Sequence, residues 1–310
     1  MRVVDRKEIE AAVRLPDAIE AMREALLAHA RGACDTPMPM HLDIVPGGGE
    51  VHVKASSRRG GEHYAVKIAS GFPGNVARGL PAGSGMMILF SAASGEPVAL
   101  LADEGWLTDL RTAAVAALAA REIGRRDATI GILGSGIQAR LQARLHAEVL
   151  PLERVVVWGR TRERVERCLQ EIRETLPRVE ATAVASAADL ARTCRLIVTA
   201  TASRHPLLHW ADLAPGTHLS AVGSDAPGKQ ELDPEILGRA SLLLVDSRSQ
   251  CERLGELQHA REQAARAIEL GEFLAAPSRP EPGGVTVCDF TGLGVEDLHI
   301  AERVWAWCRR

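Results

Sequence analysis

The chain has 310 residues, 46% of them apolar and 25% charged, enough to bury two cores and ordinary for a globular protein. A formal net charge of −3 with no long basic run argues against nucleic acid and anionic membrane surfaces as partners, and 3% aromatic residues against base-stacking surfaces. The first residues, Met1-Arg-Val-Val-Asp-Arg-Lys7, are too charged for a signal peptide and no apolar stretch is long enough to span a bilayer, so the expected compartment is the cytoplasm.

Leu15, Ile19, Met22 and Leu26 recur at helical spacing, with Pro16 in the first turn and Gly32 as the stop. His41 to Val45 and Val51 to Ala55 flank Pro46-Gly-Gly-Gly49 and predict a hairpin; Tyr64 to Ala69 predicts a third strand, carrying Lys67. The glycine- and proline-rich stretch 71–81 reads as a loop. Met86 to Phe90 and Pro97 to Ala102 predict a second hairpin, and Trp106 to Glu122 a helix. From Ala128 strands and helices alternate, with strands at Thr129–Leu133, Arg154–Trp158, Leu196–Ala200, His218–Val222 and Leu242–Val245, the pattern of a doubly wound parallel sheet. The Pro/Gly-rich run 275–284 reads as a connector before a short strand, Val285 to Asp289, and a final amphipathic helix. The expected fold class is α/β: a Rossmann-type domain over 119–284, and a mixed α/β domain over 1–118 to which 285–310 returns.

Chemistry is most legible in Ala128-Thr-Ile-Gly-Ile-Leu-Gly-Ser-Gly-Ile-Gln-Ala-Arg140. An apolar strand runs into a glycine turn and then a helix, the context in which G-x-G-x-x-A signifies dinucleotide binding. Gly134 allows the turn, Gly136 lets backbone approach a pyrophosphate, and Ala139 lets helix pack on strand. Ser135, Ile137 and Gln138 stand where a helix N-terminus offers N–H groups to phosphates. A nicotinamide cofactor is therefore expected. After the second strand comes Trp158-Gly-Arg-Thr-Arg162, with no acid for a ribose hydroxyl before Glu163. Arg160, Thr161 and Arg162 either hold a 2′-phosphate or simply open a solvated helix; the reading favours NADP(H).

Four other positions stand out. Lys67 interrupts an apolar strand, where a solvent-facing lysine would need no explanation. Arg111, next to Thr112 near a helix start, could hold a carboxylate bidentately or lie on the surface. Asp225 follows a parallel strand, at the end where ligands bind, and could move a proton or merely form a turn before Pro227-Gly228. Thr291 could cap the last helix, with Glu296 and Asp297 matching its dipole. The six cysteines, scattered and without C-x-x-C, read as reduced thiols, and the ten histidines show no ligand spacing, so no metal is expected.

Leu110-Arg-Thr-Ala-Ala114, Gly131-Ile-Leu-Gly-Ser-Gly-Ile-Gln138, Ala221-Val-Gly-Ser-Asp-Ala-Pro-Gly-Lys-Gln-Glu-Leu232 and Thr291-Gly-Leu-Gly-Val-Glu-Asp297 occur in an order and at separations that resemble the ornithine cyclodeaminase/mu-crystallin family over nearly the whole chain. The resemblance implies a homodimer formed through an N-terminal domain that also binds substrate. It implies that Lys67 and Arg111 hold the substrate carboxylate, with Lys67 also polarising the imine or carbonyl region. It further implies that Asp225 is the catalytic acid/base and that Thr112 and Thr291 belong to the cofactor site. Mu-crystallins lack the aspartate, so Asp225 favours the enzymatic branch over a non-catalytic NADPH-dependent binder; the Arg160-Thr161 run is similar to theirs and accords with NADP(H).

Two positions depart from the family pattern. His41 stands where an arginine is usual, and His52 where the ornithine enzyme has a glutamate. Both are read as substrate-binding. The implied substrate is a small α-amino acid, its imine or a keto acid. Ornithine cyclodeamination to proline and ammonia is the first expectation. NADP(H)-dependent ketimine reduction or alanine-type dehydrogenation is the alternative that the two histidines bring forward.

Overall fold

The computed structural model describes residues 1–278 and 283–309. It divides into two compact units, Met1–Arg111 with Leu293–Arg310, and Thr112–Gly292. Part of the predicted 275–284 connector, residues 279–282, lies outside the described residues. No helix among the described residues is long and apolar enough to cross a membrane.

The first unit contains β1 (Arg2–Asp5), α1 (Arg6–Ala12), α2 (Leu15–Ala30), β2 (Cys34–Asp35), β3 (Met40–Ile44), β4 (Gly49–Arg58), β5 (His63–Gly71), β6 (Gly83–Ser91) and β7 (Pro97–Ala102). The strands form one sheet in the order β1-β7-β6-β5-β4-β2, with β3 also paired to β4. Strand alternation sorts its side chains. Lys54, Lys67, Met87 and Leu101 lie in one cross-strand row, Ser56, Ala65, Leu89 and Ala99 in the next, and all eight are buried. The C-terminal helix, Gly294–Cys308, packs on β4, β5, β6 and α2. On the other face Met40, Val53, Ile68 and Met86 form a row in which the first, third and fourth remain exposed.

Helix α3 (Trp106–Glu122) starts where the Asp103 carboxylate accepts from the Leu107 N–H at 2.7 Å. Burial pushes the Asp103 carboxyl up to about 6. Arg111 ends the part of α3 assigned to the first unit, so the division falls inside the helix rather than at residue 118.

The second unit holds β8 (Thr129–Leu133), α4 (Ile137–Ala147), β9 (Arg154–Trp158), α5 (Arg162–Thr175), β10 (Glu180–Ala183), β11 (Leu196–Thr199), β12 (Arg204–Leu208), β13 (His218–Ala221), β14 (Gln230–Leu232), β15 (Leu242–Val245), β16 (Ile268–Glu269) and β17 (Thr286–Asp289). Its parallel sheet runs β10-β9-β8-β11-β13-β17-β15-β16, while β12 and β14 pair separately. The chain moves outward from β8 through β9 to β10, then crosses to β11 on the other side. That reversal is the doubly wound arrangement. The final strand corrects the expectation that residues from 285 return to the first domain. β17 lies between β13 and β15, all four of its residues are buried, and only from Leu293 does the chain rejoin the first unit. A strand paired on both sides cannot be lifted from its sheet without leaving two ladders unsatisfied.

Gly294 sets how closely the last helix lies on β4, because a Cβ there would overlap the Ala55 carbonyl oxygen. Gly294→Ala is expected to destabilise the protein by about 1–3 kcal/mol through backbone displacement, read as a lower thermal midpoint than for Gly283→Ala, whose Cβ would meet open space.

Candidate functional site

In the second unit a groove of about 270 Å³ lies at the carboxyl ends of β8, β9 and β11. Gly134, at φ 125°, forms its floor; a Cβ there would sit 2.5 Å from the Ala200 carbonyl oxygen. Beyond it Gly136 has open space where a Cβ would be, and α4 starts with no side-chain cap on its first N–H groups. Backbone donors, a helix N-terminus and room for close approach together suit a pyrophosphate. Ser135, Arg160, Thr161 and Arg164 also line the groove. Arg162, singled out in the sequence, is exposed and is not among the lining residues; Arg164, which was not singled out, is. Ile137 and Gln138 open α4 beside the groove without lining it. No carboxylate lines it among the described residues.

In the first unit the chemistry is electrostatic. Lys67 is 2% exposed, donates to Asp297 Oδ1 at 3.1 Å and has its Nζ 2.9 Å from Oδ2. Arg111 is buried as well; its Nε donates to Asp297 Oδ1 at 2.7 Å and one terminal nitrogen donates to Glu296 Oε2 at 2.8 Å. Lys54 stands directly opposite Lys67 in the β4–β5 register and is also buried. Burial, reinforced by the Arg111 charge, pushes the Lys67 ammonium down to about 7. Burial alone would raise Asp297, but Arg111, Lys67 and Lys54 outweigh it and hold the carboxylate ionised. Asp297 and Glu296 in turn keep Arg111 charged against its own burial. A lysine near neutrality beside a permanently charged arginine can orient a carboxylate and hold or release a proton. Glu296 and Asp297, read from sequence only as dipole partners, are the counter-ions of this cluster. Their signal was the pairing of two acids with an Arg and a Lys, which spacing along the chain does not reveal.

On the same sheet face His41 and His52 stand opposite one another in the β3–β4 register, with ring centroids 4.7 Å apart and edge to face.

Asp225 lies in the second unit, nearly half exposed, and accepts from Lys229 Nζ at 2.6 Å. Its loop is anchored by Glu231, which sequence reasoning passed over. That buried carboxylate accepts from Thr199 Oγ1 at 2.7 Å, from the Thr201 N–H at 2.6 Å and Oγ1 at 2.7 Å, and from the Gly223 N–H at 3.0 Å. It therefore ties the Ala200–Ser203 loop, which lines the groove, to the loop bearing Asp225. Burial pushes Glu231 up to about 7 despite these donors. Thr291 is buried; its hydroxyl is engaged with Asp246 at 3.1 Å and with Gln250 Nε2 at 2.9 Å. Thr112 follows Arg111 on α3 and is partly buried.

A doubly wound sheet with a pyrophosphate-sized groove at its reversal point defines the second unit as a Rossmann dinucleotide-binding fold. Residues 1–308 match the ornithine cyclodeaminase/mu-crystallin family. The chain is 37% identical to an uncharacterized cyclodeaminase of Sinorhizobium fredii, over 97% of this chain and 94% of that protein. It is 30% identical to the alanine dehydrogenase of Archaeoglobus fulgidus, over 98% and 94% of the two chains. Its structure resembles that of Thermococcus litoralis Δ1-pyrroline-2-carboxylate reductase in complex with NADH and L-proline, with TM-score 0.93, 26% identity and coverage of 100% and 98%. The chain belongs to the ornithine cyclodeaminase/mu-crystallin family.

Removing Arg111 would leave Asp297 and Glu296 buried without their principal cation. Arg111→Met is expected to cost about 3–5 kcal/mol of stability, measured by denaturant unfolding, with Arg125→Met, in a part-buried pair with Asp127, costing less.

Proposed function

We propose that the protein is an NADP(H)-dependent enzyme that exchanges a hydride with the α-carbon of a small α-amino acid, interconverting it with the corresponding imine. The observation that carries the reading is the buried pair Lys67 and Arg111, held side by side on the Asp297 carboxylate. Their remaining donors would fix the substrate carboxylate, leaving the α-carbon to the cofactor and the α-nitrogen within reach of a proton carrier. The bound nicotinamide supplies or accepts the hydride. Gly134, Ser135 and Gly136 would hold its pyrophosphate, and Arg160, Thr161 and Arg164 a 2′-phosphate, since arginine suits a phosphate and no acid is there to take a ribose hydroxyl. Lys67 would donate the proton in imine reduction and accept it in amino-acid oxidation. Asp225, with Lys229 as its ion-pair partner, would serve the nitrogen substituents as acid or base. Thr112 and Thr291 would support the cofactor through the backbone segments they steady.

The substrate side chain would extend along the sheet face toward His41 and His52. A distal ammonium such as that of ornithine would there meet two imidazoles, with the Glu50 carboxylate 3.7 Å from His52 Nε2, so the choice between net reduction or oxidation and cyclodeamination falls to the assay. The exposed row Met40, Ile68 and Met86 supports a homodimer formed through the first unit's sheet.

The test is absorbance at 340 nm with NADPH and small cyclic or acyclic α-imino acids, beside proline and ammonia assays on L-ornithine with catalytic NADP+. Net NADPH oxidation with an imino acid, faster than with NADH, is the expected result. Proline and ammonia from ornithine without net change in cofactor would replace this reading with cyclodeamination.

Because Lys67 titrates near 7, imine reduction needs its protonated form and amino-acid oxidation its neutral form. Reductive kcat/KM is therefore expected to fall about tenfold per pH unit above that value, and the oxidative one to rise to a plateau through the same range. Lys67→Arg, which cannot release its proton, should abolish both inflections and lower kcat about 100-fold or more.

A further inference from the structure

We propose that His41, His52 and Glu50 form a binding site for one divalent transition-metal ion of the zinc class, with Asp43 orienting His41. The ligand set is written by strand register. His41 is paired with His52, and Asp43 with Glu50, across the β3–β4 ladder, so all four side chains project from one face. Ligand atoms of His41, Glu50 and His52 all lie within 4.8 Å of one another. Zinc bonds of about 2.0–2.1 Å at tetrahedral angles place ligand atoms roughly 3.4 Å apart, so modest side-chain rotations would close the site.

Two further observations point inward. His41 Nε2 lies 3.1 Å from Asp43 Oδ1, the carboxylate–imidazole contact that sets ring orientation in metal sites and raises ligand basicity. The other ring nitrogen, His41 Nδ1, is buried and has no hydrogen-bond partner among the described residues, which leaves a lone pair for an ion. His52 Nε2 is 3.7 Å from Glu50 Oε1, so the remaining two ligands already approach each other.

The chemistry of the set selects the ion. Two imidazoles and one carboxylate, with no thiolate, suit zinc, cobalt or nickel; magnesium and calcium require more oxygen ligands. Glu50 and Asp43 would offset the two positive charges. Lys54, the next residue on that face after His52, is electrostatically engaged with Asp297. The His52 side chain is 16% exposed and those of His41 and Glu50 29% each, so an ion could enter and keep water in a fourth position. With a metal in place, the two imidazoles would meet a substrate side chain through the ion and its water rather than directly. Binding of the ion does not depend on the hydride chemistry proposed above.

Tag-free full-length protein, stripped with a chelator, would be titrated with Zn2+ by calorimetry and with Co2+ by visible absorption. Saturation at one equivalent with a tetrahedral Co2+ band is expected. His52→Ala should remove the band and weaken Zn2+ binding by at least about 100-fold, and Asp43→Asn should weaken it about 10-fold or more. Glu50→Gln provides a second ligand variant, and a circular dichroism spectrum and thermal midpoint matching the wild type check that each variant is folded. The absence of saturable binding to the wild type would overturn the proposal. So would zinc affinity and a cobalt spectrum unchanged in both His52→Ala and Glu50→Gln, which would place the ion elsewhere.

Discussion

Asp297 accepts from Lys67, 230 residues before it, and from Arg111, 186 residues before it. That one buried carboxylate ties the central strand β5, the start of α3 and the C-terminal helix together. Desolvating the three charged groups costs several kcal/mol for each ion, a cost offset only when the geometry is good and hydrogen bonds complete it. Glu296 supplies the second acceptor for Arg111. The C-terminal helix therefore does two things at once: it covers this face of the sheet and brings the counter-charges that Lys67 and Arg111 need once covered. The same pairing gives the site its character. Arg111 is held permanently charged while Lys67 is pushed down to about 7, so one side chain keeps a fixed charge and the other can titrate.

The second unit uses buried acids differently. Glu231 is met by threonine hydroxyls and backbone N–H groups, Glu256 by the N–H groups of Glu231 and Leu232, and Asp289 by those of Glu256 and Leu257. No cation appears among those contacts. Burial pushes Glu231 and Asp289 up to about 7 and Glu256 well above its ordinary value. These carboxylates act as multi-point acceptors that knit the loops beyond the parallel strands, where irregular backbone has no ladder to satisfy it. Buried charge is paired with opposite charge in the first unit and with hydroxyl and backbone donors in the second.

What could be read in advance follows that division. The turn at Gly134 was legible because its cause is local: a strand, a tight turn and a helix start within a dozen residues. Lys67 and Arg111 were visible as polar interruptions, but not their partners, since an acid in a helix's first turn looks the same whether it meets the dipole or a distant arginine. Lys54 carries no local signal, because its significance comes from lying opposite Lys67 across the β4–β5 ladder. Arg164 gives no signal for a related reason: it lies two residues into α5, where only the turn of that helix decides that it, and not Arg162, lines the groove. The proline-rich stretch before β17 has the composition of a domain boundary, yet β17 is an internal strand of the second unit's sheet, paired with β13 and β15.

The run Met86-Met-Ile-Leu-Phe90 in β6 carries the last step. Antiparallel strands with one face in water alternate apolar and polar residues, whereas unbroken apolar runs belong to strands covered on both faces. In β6 Met87 and Leu89 are buried, while Met86 points to the other face with Met40 and Ile68 and is exposed. The helix-covered face also carries the charged cluster. Because β-strand geometry gives each residue only one face, the charged chemistry and the uncovered apolar row are fixed back to back on the same strands. A second copy covering that row would stiffen β4 and β5 from behind, and with them the spacing of Lys54, Lys67, His41 and His52. On this argument a dimer formed through this face would add to the rigidity of the proposed substrate site without contributing a residue to it.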